Sequence, residues 1–390
     1  MPQYLLIADD LTGACDAGAQ FAKRGLSSEV IVDLDKVKGS DADVWIVNSR
    51  SRADTPEDAA RKLQAYSSLV SKQARPVLFK KIDSTLRGPV AAEIEAAMAV
   101  FGCRTALIAP AFPAMGRAQR GGVMVVRDAT GETSLGVLDL LRSQMPRPRS
   151  SLVLVGRFAS SVALRKHLEE LVARDIRYIV FDAEAESDLQ VIAEAGKSLP
   201  DVLWVGSGGL ASGIAGVSAN PEVASSPPMS KPIGVGPVVF CVGSTHAVTR
   251  RQVRTLVARA RVCIVNASPE GAACAKAALR EDCGVVLQIC REATEGDSLC
   301  QFFQEISDWR LGAMLLTGGD TGDLVCHALR VLAIRLESEV SIGIPWGVFR
   351  GGMAEGVPVV TKAGGFGADD ALLRVLSVFS KWSFGAEVVR

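Results

Sequence analysis

The stretch VLFKKIDSTLRGPVAAEIEAAMAV, residues 77–100, decides how the rest of the chain is read. It opens on an apolar run, Val77–Phe79, that extends as a strand to Ile82. It closes on Pro89–Val100, a helical pattern whose proline suits a first turn, where its missing N–H would have no partner anyway. Between the two lie Lys80, Lys81, Asp83, Ser84, Thr85 and Arg87. A continuous apolar strand, a polar turn and a helix together form the repeating unit of parallel sheets covered on both faces.

The unit recurs along the chain. Tyr4–Ala8, Glu29–Val32, Val44–Val47, Ala106–Ala109, Leu152–Val155, Tyr178–Phe181 and Leu203–Val205 read as further strands. Helical patterns lie between most of them, including Pro56–Val70, Ser161–Ala173 and Leu189–Ser198. The alternation stops at SANPEVASSPPMSKPIGVGP, residues 218–237, which is rich in Pro, Ser and Gly and has no periodicity. It resumes with Val238–Val242, Val262–Asn266, Val285–Ile289, Met314–Thr317 and Val357–Thr361. The pattern predicts an α/β protein of two domains, residues 1–217 and 238–390, with 218–237 as linker. Each is expected to be a mostly parallel sheet flanked by helices, with an interdomain cleft, a favoured place for ligands. A length of 390 residues fits two cores better than one.

Lys plus Arg and Asp plus Glu number 43 each, a balance that argues against nucleic acid or an anionic membrane as the main partner. The N-terminus has no basic leader segment, and no apolar run approaches the ~18–20 residues of a membrane span, so a cytoplasmic protein is expected. The nine cysteines form no CxxC pair and the three histidines lie far apart in sequence, which disfavours a Cys/His metal site and a Ser-His-Asp triad. The sequence leaves homo-oligomerisation open.

Ligands of α/β sheets collect at the carboxyl ends of strands. In the first domain those ends are polar. IADDLTGACDAG supplies Asp9 and Asp10, VNSRSRAD supplies Asn48 to Arg52, KKIDSTLRG follows, and APAFPAMGR ends in Arg117. Cations suit a small anion, and carboxylates suit its hydroxyl groups. In the second domain the strand ends carry glycine instead: Gly243 and Ser244; Gly318, Gly319, Asp320 and Thr321; Gly364, Gly365 and Gly367. Turns of that kind present backbone N–H groups and helix N-termini to phosphate oxygens. AGKSLP (195–200) is not a P-loop, because Val191 stands where its first glycine belongs. GSGGLA (206–211) fits G-x-G-x-x-A, but the acidic residue expected ~20 positions later is missing.

Taken in order, IADDLTGACDAG, VNSRSRA, KKIDSTLRGP, APAFPAMGR, VGSGGLA, VGSTHAVTRRQ, LTGGDTG and TKAGGFGADDAL span nearly the whole chain. This set resembles the four-carbon acid sugar kinases. The resemblance implies two α/β domains and phosphorylation of a tetronate (threonate, erythronate or a 3-oxo derivative) at its O4 hydroxyl by ATP with Mg²⁺. It implies a sugar acid held on the first domain by Asp9, Asp10, Arg52, Lys80, Lys81, Asp83, Ser84 and Arg87, with Asp10, Asp83 and Arg87 as catalytic candidates. It implies a nucleotide held on the second domain by Ser244, Gly318, Gly319, Asp320, Thr321, Gly364 and Gly365. The carboxylate that orients the attacking hydroxyl stays open among Asp9, Asp10, Asp83, Asp320 and Asp370, and no Mg²⁺ ligand is assigned. Arg50 stands where the family usually carries an acidic residue. Lys80 and Lys81 alternate across a strand, so one of them faces away from the ligand. Two other readings compete: an NAD-dependent hydroxy-acid dehydrogenase, resting on GSGGLA, and a non-catalytic sugar-acid sensor.

Overall fold

The structure, a computed structural model, describes residues 2–34, 40–69, 75–128, 131–145, 148–218, 236–289, 295–307 and 310–380. Nearly all of the expected linker lies outside the described residues. The chain divides into two compact units, Met1–Ser28 with Asp41–Ser226, and Glu29–Ser40 with Pro227–Arg390. The second unit thus takes in a piece of the N-terminal half.

The chain begins with β1 (Tyr4–Ala8), α1 (Leu11–Ala22) and β2 (Ser28–Ile31). Next come β3 (Val44–Asn48), α2 (Pro56–Gln64), β4 (Val77–Lys81), α3 (Val90–Phe101) and β5 (Thr105–Ala109). An antiparallel trio follows: β6 (Arg117–Arg120), β7 (Val123–Asp128) and β8 (Gly131–Gly136). The first unit ends with α4 (Val137–Gln144), β9 (Ser150–Leu154), α5 (Ser161–Ala173), β10 (Tyr178–Asp182), α6 (Glu186–Gly196), β11 (Val202–Gly206) and α7 (Gly208–Ser218). Its main sheet runs β3-β1-β4-β11-β5-β10-β9 with every neighbour parallel, so all its strands end on one edge. β1 and β5 are buried at every position, as expected for strands covered on both faces.

The second unit contains β12 (Val238–Val242), α8 (Ala247–Arg259), β13 (Val262–Asn266), α9 (Pro269–Arg280), β14 (Gly284–Gln288) and α10 (Glu295–Ile306). β15 (Ala313–Thr317), α11 (Gly319–Ala328), β16 (Ala333–Ser341), β17 (Ile344–Arg350), β18 (Pro358–Lys362) and α12 (Ala371–Phe379) complete it. Its strands run β13-β14-β12-β15-β18 in parallel, then β17 and β16 antiparallel. β2 lies beside β16, and just beyond it the Val32 and Asp33 N–H groups both donate to Leu332 O. Phe240, Leu256, Leu315, Trp346, Val360, Leu372 and Phe379 share the core between this sheet and the helices α8 and α12, with Trp346 and Phe379 edge to face at 5.6 Å. Burying each such side chain contributes about 1.5–3 kcal/mol.

The expected strands all form, within one or two residues of their predicted ends. The helix predicted over Pro56–Val70 ends as α helix at Gln64 and continues as a 3-10 turn to Leu69, while Val70 lies outside the described residues. The sequence pattern predicts neither the β6–β8 trio nor the β16–β17 hairpin. β8 is exposed almost throughout, and the hairpin half-alternates around Gly343, whose φ of 73° makes the tight turn.

Candidate active site

Each polar strand end of the first unit is fixed by a local device. After β1, Asp10 caps α1: its Oδ1 accepts the Gly13 N–H at 2.7 Å and its Oδ2 accepts the Thr12 hydroxyl at 2.8 Å. After β3, the Ser51 and Arg52 N–H groups donate to Asp9 O at 3.1 and 3.3 Å, which turns the Arg52 side chain back over β1. Its guanidinium grips Asp9 through Nε and Nη2, both at 2.8 Å, and Asp10 through Nη1 at 2.6 Å and Nη2 at 2.9 Å. Nη2 also lies 3.8 Å from Asp83 Oδ1. Burial alone would raise the Asp9 carboxyl, but Arg52, with Lys80 and Lys81 further off, holds it below its ordinary value. Burial likewise works against the Arg52 cation and is outweighed by Asp10, Asp9 and Asp83.

The turn after β4 is folded tightly on Asp83. Asp83 Oδ2 accepts Arg87 Nε at 2.7 Å, the Arg87 and Thr85 N–H groups at 3.3 Å each, and the Thr85 hydroxyl, while Oδ1 accepts Arg87 Nη2 at 2.9 Å. Burial opposes the charge of Asp83, yet the Arg87 hydrogen bonds and the Arg52 charge hold its carboxyl far below the usual range. Leu86 and Arg50 have φ of 60° and 51°, left-handed values that cost an L residue roughly 1–2 kcal/mol each. Both strained residues flank this cluster. Gly88 packs so closely on the Arg52 backbone that a Cβ would lie 2.9 Å from Arg52 O, which locks the two turns together.

The two lysines part company here. Lys80 is 0% exposed and pairs with the equally buried Glu93 of α3 at 2.9 Å. Glu93 Oε1 also accepts the Ser51 hydroxyl at 2.5 Å, and Ser51 lies 2.6 Å from Ser49. Lys80 is therefore spent inside the fold. The Lys81 ammonium donates to Ile82 O at 2.8 Å and has no carboxylate in ion-pair range among the described residues. It sits where a Cβ on Gly13 would meet it at 2.9 Å, beside Asp10 and the start of α1. The Ser84 hydroxyl has no hydrogen-bond partner among the described residues, although the residue is only 5% exposed. Glu93 escapes the sequence reading, which names Ser51 only among the polar residues Asn48 to Arg52. A carboxylate on the apolar stripe Val90, Ile94, Ala97 and Phe101 is the signal that marks Glu93.

In the second unit three glycine turns converge. A Cβ at Gly243 would collide with Thr321 Oγ1, and one at Gly364 with Ser244 Oγ. Gly318, with φ 95°, caps α11 with no side-chain hydrogen bond, and its N–H donates to Lys362 O at 2.9 Å. His246 caps α8, its Nδ1 accepting the Val248 N–H at 3.2 Å, and lies against Gly365. Gly243, Ser244, Gly318, Thr321 and Gly364 thus form one cradle, where a Cβ at Gly243 or Gly364 would displace a neighbouring hydroxyl and Gly318 takes a φ that favours glycine. Asp320 is exposed on the first turn of α11, and Gly319 is half-buried beside it. Asp370 stands at the α12 N-terminus with Oδ2 accepting Arg374 Nε at 2.9 Å. Such a cradle fits the phosphates of a nucleotide. For a divalent cation, the described residues hold no group of three or more His, Cys, Asp or Glu placed to ligate one.

The GSGGLA glycines have a different use. A Cβ at Gly206 would lie 2.5 Å from Ala109 O, one at Gly208 2.5 Å from Asp16 Oδ2, and one at Gly209 2.5 Å from Ala111 O. The room these glycines leave is filled by the protein itself, so close packing of β11 and α7 is reason enough for them.

The fold and its strand ends define a two-unit α/β protein, with an acid-and-base cluster on one unit and a phosphate-type glycine cradle on the other. Comparison with known proteins makes this specific. Residues 4–214 match the family model described as a sugar-binding N-terminal domain, and residues 291–372 the one described as a nucleotide-binding C-terminal domain. A D-threonate kinase of Salmonella typhimurium is 31% identical over 96% of this chain and 97% of its own. A D-threonate kinase of Bordetella bronchiseptica is 32% identical over 98% of this chain and 99% of its own. A solved structure from Salmonella typhimurium, described as a putative tRNA synthase, shares the fold with a TM-score of 0.76 at 20% identity, over 97% of this chain and 99% of that one. The chain belongs to the four-carbon acid sugar kinase family.

Proposed function

We propose that the protein transfers the γ-phosphoryl group of ATP to the O4 hydroxyl of a four-carbon sugar acid, with D-threonate the first substrate to test. The observation that carries the reading is the cradle around Ser244, where Gly243 and Gly364 pack against the Thr321 and Ser244 hydroxyls and Gly318, with φ 95°, opens α11. A protein that only senses a sugar acid has no use for it. The acid-sugar site is read on the first unit, where Lys81 and Ser84 keep donors to spare and Arg52 presents a fixed guanidinium.

The roles follow from which groups are already satisfied. Asp10 and Asp83 each accept four or more hydrogen bonds within the protein, so they act as scaffold for Arg52 and Arg87. Each Asp9 oxygen accepts a single Arg52 hydrogen bond, which leaves Asp9 able to accept from and orient a substrate hydroxyl. Lys81 is placed to meet the carboxylate or the moving phosphoryl group, and Arg87, 63% exposed, to stabilise the transferring charge. Phosphoryl transfer asks the protein for position and charge stabilisation more than covalent chemistry. Ser244, the Gly319 and Thr321 N–H groups and Gly364 would hold the phosphates. Mg²⁺ keeps several waters and needs only one or two carboxylates besides phosphate oxygens, so Asp320, carried by the cradle, would suffice to hold it. It would neutralise phosphate charge.

The test is a screen of ADP release with Mg-ATP against D-threonate, L-threonate, D-erythronate and their 3-oxo forms. Turnover with at least one of them is expected. Silence on every acid, from protein that binds ADP and is folded, would remove the kinase reading.

A further inference from the structure

Lys362 ends β18 with 0% exposure, and no carboxylate pairs with it among the described residues. Its three N–H groups are shared instead among four oxygens within reach of Nζ: Thr249 Oγ1 at 3.3 Å and the carbonyls of Ala363 at 3.0 Å, Gly364 at 3.3 Å and Phe366 at 3.2 Å. Thr249 Oγ1 in turn donates to Gly364 O at 2.8 Å. One turn further along α8, Gln252 Nε2 donates to the carbonyls of Phe366, Gly367 and Ala368 at 2.9, 3.0 and 2.9 Å. Five carbonyls of one short loop are thus drawn to one side by three buried side chains.

A planar trans peptide points its N–H opposite to its C=O. The N–H groups that follow the captured carbonyls belong to Gly364, Gly365, Gly367, Ala368 and Asp369, and they are turned away from Lys362 and Gln252. None of the five has an acceptor among the described residues. Gly364 and Gly365 are the residues that touch Ser244 and His246, on the cradle side of the loop. The buried ammonium stands directly behind them. An unpaired charge in a protein interior is costly; while the ammonium is protonated, its field adds to that of the outward N–H groups.

We propose that Lys362, with Thr249 and Gln252, is the positioning group of the nucleotide loop: it gathers the loop's carbonyls inward so that its N–H groups face the phosphates. This rests on the reading of the cradle as the nucleotide site. Lys362 does not touch the ligand. Its effect belongs to nucleotide affinity and leaves the acid-sugar site untouched.

The test compares wild type with Lys362→Met, which keeps the buried apolar stem and removes the donors and the charge. Calorimetry with ADP, the KM for ATP, the KM for the sugar acid and the midpoint of thermal unfolding are measured on both. Losing charge-assisted hydrogen bonds predicts a rise of at least about tenfold in the ADP Kd and in the KM for ATP. The sugar-acid KM is expected to stay near wild type; the unfolding midpoint is read beside it, because the variant relieves a buried charge but leaves the carbonyls of Ala363, Gly364 and Phe366 without that donor. Unchanged ADP affinity in a folded Lys362→Met protein overturns the proposal. If that variant does not fold, Thr249→Val and Gln252→Leu are read the same way. A rise of about threefold or more in either, with sugar-acid KM unchanged, supports the proposal, and no rise in both overturns it. If wild type itself does not bind ADP, the nucleotide reading fails and takes this inference with it, an outcome distinct from binding that the variants leave intact.

Discussion

At the strand ends of the first unit, Arg52 holds Asp9 and Asp10 while Arg87 holds Asp83, so the proposed acid-sugar site is built of side chains locked against one another. At the strand ends of the second unit, Gly243 and Gly364 pack against small hydroxyl side chains, Gly318 opens a helix, and the cation behind Gly364, Lys362, is bonded to carbonyls. The same position in the same kind of sheet is used in two ways. A small acid with hydroxyls at fixed stereocentres demands side chains of definite reach. A phosphate chain offers many equivalent oxygens, which repeated N–H groups match without selecting a shape.

The contrast can be broken at its strongest point first. Arg52→Ala removes the one guanidinium that bonds both buried carboxylates, Asp9 and Asp10, and leaves only the more distant charges of Lys80, Lys81 and Arg87. A loss of about 3–5 kcal/mol in urea unfolding is expected, together with a fall of about 10³-fold in kcat/KM for the acid sugar. ADP affinity measured on the folded fraction should not change; if it falls in step, the two sites are not separable as described. Arg52→Lys should recover little, since one ammonium cannot serve both carboxylates with the fork that Arg52 uses.

The two lysines of β4 offer a sharper division. Glu93→Leu strands the Lys80 charge in the core and should cost about 3 kcal/mol or more in stability, most of it recovered in the Lys80→Met, Glu93→Leu double variant. Lys81→Met should lower kcat/KM for the acid sugar about 10²-fold while shifting stability by less than about 1 kcal/mol. Equal effects on stability from Lys80→Met and Lys81→Met would erase the distinction.

In the second unit Gly364→Ala puts a methyl group against Ser244 Oγ. An overpacking cost of about 1–3 kcal/mol should appear mainly as weaker ADP binding, read by calorimetry, with the sugar-acid KM unchanged. The smallest effect concerns pH. Burial pushes the Lys362 ammonium down to about 7, whereas an unfolded lysine keeps its proton to about 10.4. Between those values the unfolded chain binds more protons than the fold, so this group's contribution to stability rises with pH. The stability of wild type relative to Lys362→Met should therefore increase from about pH 7 to about pH 9 in urea titrations. Asp9 and Asp83 act with the opposite edge: their carboxyls are depressed in the fold, so their stabilisation is complete above the unfolded aspartate value of about 3.9 and is lost as pH falls below it.

The sequence made the sheets legible because parallel strands bury both faces and therefore read as unbroken apolar runs, as in Tyr4–Ala8 and Ala106–Ala109. It also marked the polar strand ends, since charged residues directly after such runs stand out. What it could not show is pairing between distant residues. Lys80 and Lys81 are neighbours in sequence, and only the placement of Glu93 on α3 tells which one is spent. Lys362 was in plain view in TKAGGFG, as an ionisable residue closing an apolar strand, but the glycines beside it carried the more familiar meaning. β8 stayed hidden because an exposed antiparallel strand needs no apolar run, whereas the apolar run of β7, Val123–Val126, was in view and went unread.

Glu29–Ser40 belongs to the second unit although the residues on both sides of it belong to the first. The chain therefore crosses between the units three times, and neither unit is a contiguous gene segment. β2 leaves the ribosome early, while β16, beside which it lies, follows roughly 300 residues later. At ~5–20 residues per second that interval is about 15–60 s. During synthesis the first unit can assemble its own sheet, but the second has to wait for its last third before a strand made near the beginning finds its place. A protein cut at the linker into two separately expressed halves would divide this strand from its partner and leave the β16 edge open to other chains.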